Sequence, residues 1–188
     1  AERLLDQARR RCRGKKIRFA SYDLSEGRDL PFSVEVVCCI NALIDPDRKK
    51  RSGMLRSVCS AIQEKGVAVI VVPAMESVFH VYHTLRMIRE RTGSIDGLGV
   101  SEAERMLRAE VQSFSDGIVR VGGTATKYWM REELISCLNE QGLKVRRIRK
   151  VEYEWSQEID NAPDWLKEPP PWDWMVRCEK SAAEAAGE

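Results

Sequence analysis

Histidine occurs only twice in this 188-residue chain, CxxC spacing never, and the regular metal-binding signatures are therefore missing. No apolar stretch approaches the roughly 20 residues that a bilayer-spanning helix needs. A dominant charge is lacking too: 31 basic and 29 acidic residues leave +2, so no overall field recruits nucleic acid or an anionic membrane. The start, AERLLDQARR, has neither the basic n-region nor the apolar core of a signal peptide. No internal repeat is visible. Of the six cysteines, Cys38, Cys39, Cys137 and Cys178 stand in apolar surroundings, where cysteine acts as a small hydrophobe. A reduced, cytoplasmic setting is the expectation.

With 43% apolar and 32% charged residues, the chain has the composition of one globular domain. Residues 1–13 place Leu4, Leu5 and Ala8 on one helical face, closed by Gly14. Lys16 to Leu24 (KIRFASYDL) predicts a short strand ending near Asp23. Val34 to Ile40 is almost continuously apolar, the pattern of a parallel strand covered on both sides. Asp45 as cap and Pro46 as first residue predict a helix reaching about Lys65, and VAVIVVPAM is a third strand stopped at Pro73. A helix from about Ser77 to Arg91 follows. Another is predicted over 101–113, opened by a Ser101–Glu104 capping box.

DGIVRVGGTATKY reads as a short strand and turn, YWMREELISCLNEQG as a helix, and LKVRRIRKVEYEW as a long strand. A proline-rich loop then leads to the last strand, WDWMVRCEK, and residues 181–188 form a polar tail. Strand–helix alternation predicts an α/β, Rossmann-like sheet, mostly parallel, with helices on both faces and a C-terminal antiparallel strand pair. Ligands of open α/β sheets lie beyond the carboxyl ends of the strands. Asp23, Asn41 and Pro73-Ala74-Met75-Glu76 all fall there.

Taken in order, ASYDL, LPFSVEVVCCINAL, the helix RKKRSGMLRSVCSAIQEKG, VAVIVVPAMES, TKYWMREELISCLNEQGLKV and PPWDWMVRCEK resemble the class I S-adenosylmethionine-dependent methyltransferases. The resemblance spans residues 1–180 as a partial domain. It assigns Val34–Ile40 to the family's fourth strand, VAVIV to the fifth, and the last two strands to its closing hairpin. The family opens with a strand, a GxGxG turn and a second strand ending in a carboxylate, and these first two strands are absent here. Gly122-Gly123 lies too late to substitute. A fragment is the favoured account; a front supplied by another chain, or a degenerate cofactor site, are the others.

The resemblance implies S-adenosylmethionine as cofactor and methyl transfer to a small-molecule or other acceptor. The alternatives are a non-catalytic subunit that stabilises an active partner, and a dinucleotide oxidoreductase, against which the closing hairpin argues. Asp23 resembles the carboxylate that accepts from the adenine amino group, with Tyr22 and Leu24 flanking the ring; strand-end turn chemistry is the plain reading of the same aspartate. Asn41, with Ile40 and Ala42, resembles the wall beneath the methionine part.

Glu76, His80 and His83 follow helical spacing past the fifth strand, where the family gathers the acceptor. The two histidines are the candidate proton acceptors, against a simple solvated helix face, and no metal is assigned. Met75, Glu76 and Tyr128 are the candidate acceptor contacts, while Trp129 reads as core. KVRRIRK reads as a solvated strand edge. The loop between Trp155 and Trp174 reads as a binding loop or lid suited to an apolar or aromatic acceptor. Exposure of the Val34–Ile40 edge predicts self-association or pairing with a partner chain.

Overall fold

The structure is a computed structural model describing residues 2–92, 110–159 and 161–180. In chain order its strands are β1 (Val34–Ile40), β2 (Ile62–Pro73), β3 (Val111–Ser113), β4 (Ile118–Val121), β5 (Thr124–Lys127), β6 (Leu143–Glu152) and β7 (Trp172–Lys180). Its helices are α1 (Glu2–Arg11), α2 (Arg48–Ser60), α3 (Met75–Thr92) and α4 (Arg131–Glu140). The main sheet runs β1-β2-β7-β6, and a smaller antiparallel sheet runs β3-β4-β5. The closing antiparallel pair is as expected. The sheet as a whole is mixed, not mostly parallel: only β1 and β2 run parallel, because β7 enters between β2 and β6 and opposes both.

One face of this sheet carries the core. Cys39, Ala68, Ile70, Val72, Trp174, Val176 and Cys178 meet Leu55 and Val58 of α2 and Leu134 and Leu138 of α4. Burial pushes the Cys39 and Cys59 thiols up to about 11 and that of Cys178 up to about 12, so all three stay protonated and pack as small apolar groups. The helices that pack on this core, α2 and α4, therefore share one face rather than dividing between two. On the other face Val36 is 58% and Ile40 64% exposed, with Cys38 exposed between them. So β1 is buried on one side only, and Cys38 is exposed rather than packed in the core.

Local chemistry explains where the elements begin and end. Asp45 does not cap α2: its carboxylate accepts from Asp47 N (2.8 Å), and Asp47 then accepts from Lys49 N (2.7 Å) and Lys50 N (3.2 Å). The helix stops at Ser60 because Ile62 already pairs with Val34, and Lys65 turns back through φ 62°. The predicted helix over 101–113 lies outside the described residues up to 109. Beyond that, Val111–Ser113 is a strand paired with β4. Gly122 and Gly123, at φ 54° and 83°, supply the left-handed pair that a two-residue hairpin turn demands between β4 and β5.

Residues 16–24 are not a strand. The chain from Ile17 to Asp23 carries no regular element, and a short 3₁₀ turn follows at Leu24–Glu26. A strand needs a neighbour to take its backbone bonds, and among the described residues this segment has none in either sheet. It is held instead against α2. Ser57 Oγ donates to Leu24 O (3.1 Å) or Arg28 O (3.0 Å), and the turn crosses the helix at Gly53, where a Cβ would lie 2.2 Å from Ser25 O. Gly53→Ala is therefore expected to cost about 1–3 kcal/mol, the usual penalty of overpacking. A thermal melt should show a drop of several degrees, and an unchanged midpoint would mean the turn is not seated on α2.

Candidate functional site

The carboxyl ends of β1 and β2 form a rim built around a clasp. Where β2 ends, Trp129 N donates to Pro73 O (2.8 Å) and Met75 N donates to Trp129 O (3.0 Å), so Ala74 and Trp129 form a parallel bridge. The indole of Trp129, 1% exposed, donates to Leu43 O (2.8 Å) just beyond β1. The clasp thus fixes the two strand ends relative to each other. It also brings together both ends of the excursion that carries α3 and the β3–β5 sheet.

At the end of β1, Asn41 adopts φ 49°, a left-handed conformation that asparagine tolerates, while its N–H donates to Val71 O (2.9 Å). This turn directs Leu43 into the core and leaves the Asn41 side chain near the Asp173 carboxyl. Asp173 stands opposite Pro73 at the start of β7. Burial raises its carboxyl above the ordinary range, and the nearby Asn41 amide partly offsets this.

Three tyrosines continue the wall. Tyr153 OH donates to Glu158 Oε1 (2.8 Å), and Tyr82 OH donates to Glu110. Burial, then the charges of Glu158, Asp173 and Glu110, push the Tyr128 phenol up to about 12. Tyr82 and Tyr153 are raised by burial foremost, then by their hydrogen bonds to Glu110 and Glu158 and by nearby carboxylate charge. All three are neutral donors at neutral pH, set among carboxylates. Chemically the rim offers acceptor oxygens and phenolic hydroxyls in half-buried positions.

The residues singled out by sequence divide into separate groups. Tyr22, half exposed, makes an edge contact with Phe32, and Leu24 is half-buried over α2. Asp23 accepts from Ser25 N (2.9 Å) and Ser25 Oγ (2.6 Å), and these bonds hold its carboxyl below the usual range. Both fall on Oδ1. Ile40, Asn41 and Ala42 gather at the β1 end, and no hydrogen bond joins them to Asp23 among the described residues.

Met75 is fully buried among Val78, Val111 and Val119. Glu76 uses both oxygens internally, accepting from Arg131 N (2.8 Å) at the start of α4 and from Trp174 Nε1 (3.0 Å). His80 pairs through Nε2 with Pro169 O (2.9 Å) and packs against Trp155 and Trp172, while His83 is exposed. The shared helical spacing of these three side chains does not bring them to one site. Tyr128 does lie on the rim.

Asp173, Tyr153 and Ser77 went unnoticed in the sequence. Ser77 Oγ accepts from Trp172 N (2.9 Å) and meets Tyr153, so it ties α3 to both arms of the closing hairpin. The one available signal was the pattern Trp172-Asp173-Trp174, an acidic residue between two aromatics at a strand start.

No family model matches the chain, and no curated protein matches it either. Solved structures do. A SAM-dependent methyltransferase from Methanosarcina mazei aligns with TM-score 0.58 at 13% identity, over 95% of this chain and 76% of that one. Magnesium protoporphyrin IX methyltransferase from Synechocystis, solved with bound SAH, aligns with TM-score 0.52 at 12% identity, over 96% and 61%. A methyltransferase from Haloferax volcanii, solved in complex with the Trm112 activator, gives 0.54 at 14%, over 95% and 68%. The chain therefore has the class I methyltransferase fold, and it spans about three-fifths to three-quarters of these proteins.

Asp173 offers a pH test of the rim. Its folded-state carboxyl is raised above the ordinary 3.8, so the folded protein holds this proton more tightly than the unfolded chain does. The contribution to stability is fully present below the unfolded value and is lost as pH rises through the folded one. Asp173→Asn keeps the side-chain shape and a polar carbonyl beside Asn41 and removes the charge. The variant should melt above the native protein at pH 7, with the gap closing as pH falls towards 4. A variant melting below the native protein at pH 7 would mean that Asp173 is stabilised as an anion.

Proposed function

We propose that this chain is the larger part of an S-adenosylmethionine-dependent methyltransferase, completed by a segment that supplies two strands and a glycine-rich turn. The observation that carries this reading is the inequality of the two sheet edges. The β6 edge bears Lys144, Arg146, Arg147, Arg149 and Lys150, the charged dressing that prevents strand addition. The β1 edge, VEVVCCI, has one charged residue, and Val36, Cys38 and Ile40 are exposed beside it. The run ending at Asp23, unpaired in either sheet, is a second support. In the resemblance it is the third strand, and it lacks the neighbours that the first two strands would provide.

Bound S-adenosylmethionine would supply a sulfonium methyl group for in-line transfer. This chain's residues would hold and align it. Asp23 suits the adenine amino group, since Ser25 occupies only Oδ1 and Oδ2 remains an acceptor. Asn41, fixed by its backbone bond to Val71 and set near Asp173, would border the methionine part. Tyr128, with Tyr82 and Tyr153, would face a small-molecule acceptor. His80 and His83 are less apt as proton acceptors than sequence spacing implied, because His80 is engaged with Pro169 and His83 faces outward. Met75 and Glu76 would shape the acceptor side from behind.

The test is calorimetric titration with S-adenosylhomocysteine of the 188-residue chain and of the same chain extended upstream by its natural sequence. The extended chain should bind at roughly micromolar affinity, and the 188 residues alone about 100-fold or more weakly, a loss near 2.7 kcal/mol. Cys38 supplies an independent readout, since its thiol should react more slowly with a disulfide reagent once the β1 edge is occupied. Silence from both chains would overturn the enzymatic reading and favour a non-catalytic subunit.

A further inference from the structure

The apolar packing between α2 and α4 gives way to polar side chains towards the start of α2. Arg48, Arg51 and Ser52 follow helical spacing on α2, Glu133, Ser136 and Glu140 follow it on α4, and the two stripes line one cleft of about 340 Å³. Facing stripes on packed helices are ordinarily apolar. Among the described residues, neither arginine forms an ion pair across this cleft or elsewhere. Glu133 is committed to another cation, both its oxygens being taken by Lys127 Nζ at 2.6 Å.

Arg51 points to what the cleft would hold. It is 4% exposed, and its Nη1 donates to Asp45 O (2.8 Å) and Pro46 O (2.7 Å), which fixes the guanidinium. Nε and Nη2 share the opposite edge, the fork that matches a carboxylate through two parallel bonds, and among the described residues neither has a hydrogen-bond partner. Nor are they sealed in: the fully buried side-chain atoms without partners are Thr84 Oγ1 and the indole nitrogens of Trp155 and Trp172. The fork therefore keeps an opening, and that opening is the cleft Arg51 lines. A buried charge is costly unless paired, and burial accordingly draws this guanidinium below its ordinary range.

The surroundings narrow the partner of that fork. Asp116, Glu133 and Glu140 also line the cleft and repel a second negative charge, whereas a single carboxylate is neutralised by Arg51 with Arg48. Leu55 and Trp129 supply an apolar wall for a short body. We propose that this cleft binds a small organic monocarboxylate, its oxygens on Nε and Nη2 of Arg51 and its body against Leu55 and Trp129. None of Asp23, Asn41 and Tyr128 lines the cleft, so this site does not depend on cofactor binding or on methyl transfer.

The experiment is a ¹H–¹⁵N NMR titration of the 188-residue chain, following the Arg51 Nε–H signal, with benzoate as the probe. Neutral benzamide and the phenylphosphonate dianion are the comparators. Benzoate should shift the signal saturably and bind about tenfold more tightly than benzamide, the ratio expected of charge-assisted bonds, with phenylphosphonate weaker than benzoate. Arg51→Lys keeps the charge and removes the fork, so it should abolish the preference for benzoate while leaving the Trp174 indole signal in place. If that variant unfolds, Arg48→Gln, at an exposed position, carries the test through a several-fold loss of benzoate affinity. Equal binding of benzoate and benzamide, tighter binding of phenylphosphonate, or an Arg51 signal that benzoate does not move would overturn the proposal. Failure of S-adenosylhomocysteine to bind would leave the outcome untouched.

Discussion

The rim depends on one clasp, the parallel bridge between Ala74 and Trp129. Three bonds converge on Trp129: its N–H to Pro73 O, its carbonyl from Met75 N, and its indole to Leu43 O. Through them the ends of β1 and β2, the start of α3 and the approach to α4 are set in one arrangement. Buried indole supplies much of the anchoring, since a large aromatic removes substantial apolar area from water and its N–H is satisfied. The site geometry is therefore a property of the core and not of the surface loops.

Charge reinforces the clasp from two sides. Lys127 Nζ lies 4.7 Å and the Arg51 guanidinium 5.8 Å from the Trp129 ring centroid. Lys127 is fully buried, donating to Glu133 and to Asp116 O at 2.6 Å, and burial nonetheless pulls its ammonium below the ordinary range. Arg51 donates to Asp45 O (2.8 Å) and Pro46 O (2.7 Å), which ties the entry of α2 to the same node. Cations placed on a ring and hydrogen-bonded elsewhere tolerate few alternative positions. They favour a single geometry for the rim.

Much of this was legible in the sequence, and the failures share a cause. Continuous apolar runs disclosed β1 and β2, and the pattern around Trp172–Lys180 disclosed the closing hairpin. The buried role of Trp129 was also legible. What escaped was whatever depends on a partner distant in sequence. KIRFASYDL has strand composition, but strand is a relation between two segments, and among the described residues it pairs with none. Met75 and Glu76 stand at the expected rim position, yet their side chains are taken by Val111, Arg131 and Trp174. Asp173 was hidden because an aspartate at a strand start looks like turn chemistry until Asn41 is found beside it.

The clasp has a further consequence for how such a chain can diversify. Residues 75–128 leave the main sheet and return to it at adjacent points, so the whole excursion adds almost no displacement to the chain path. Closure entropy grows only slowly with loop length. Content between Ala74 and Trp129 can then lengthen, shorten or be exchanged while the strand order β1-β2-β7-β6 is conserved. The sheet acts as a chassis with one port, and α3 with its small three-stranded sheet is the cartridge this protein carries there.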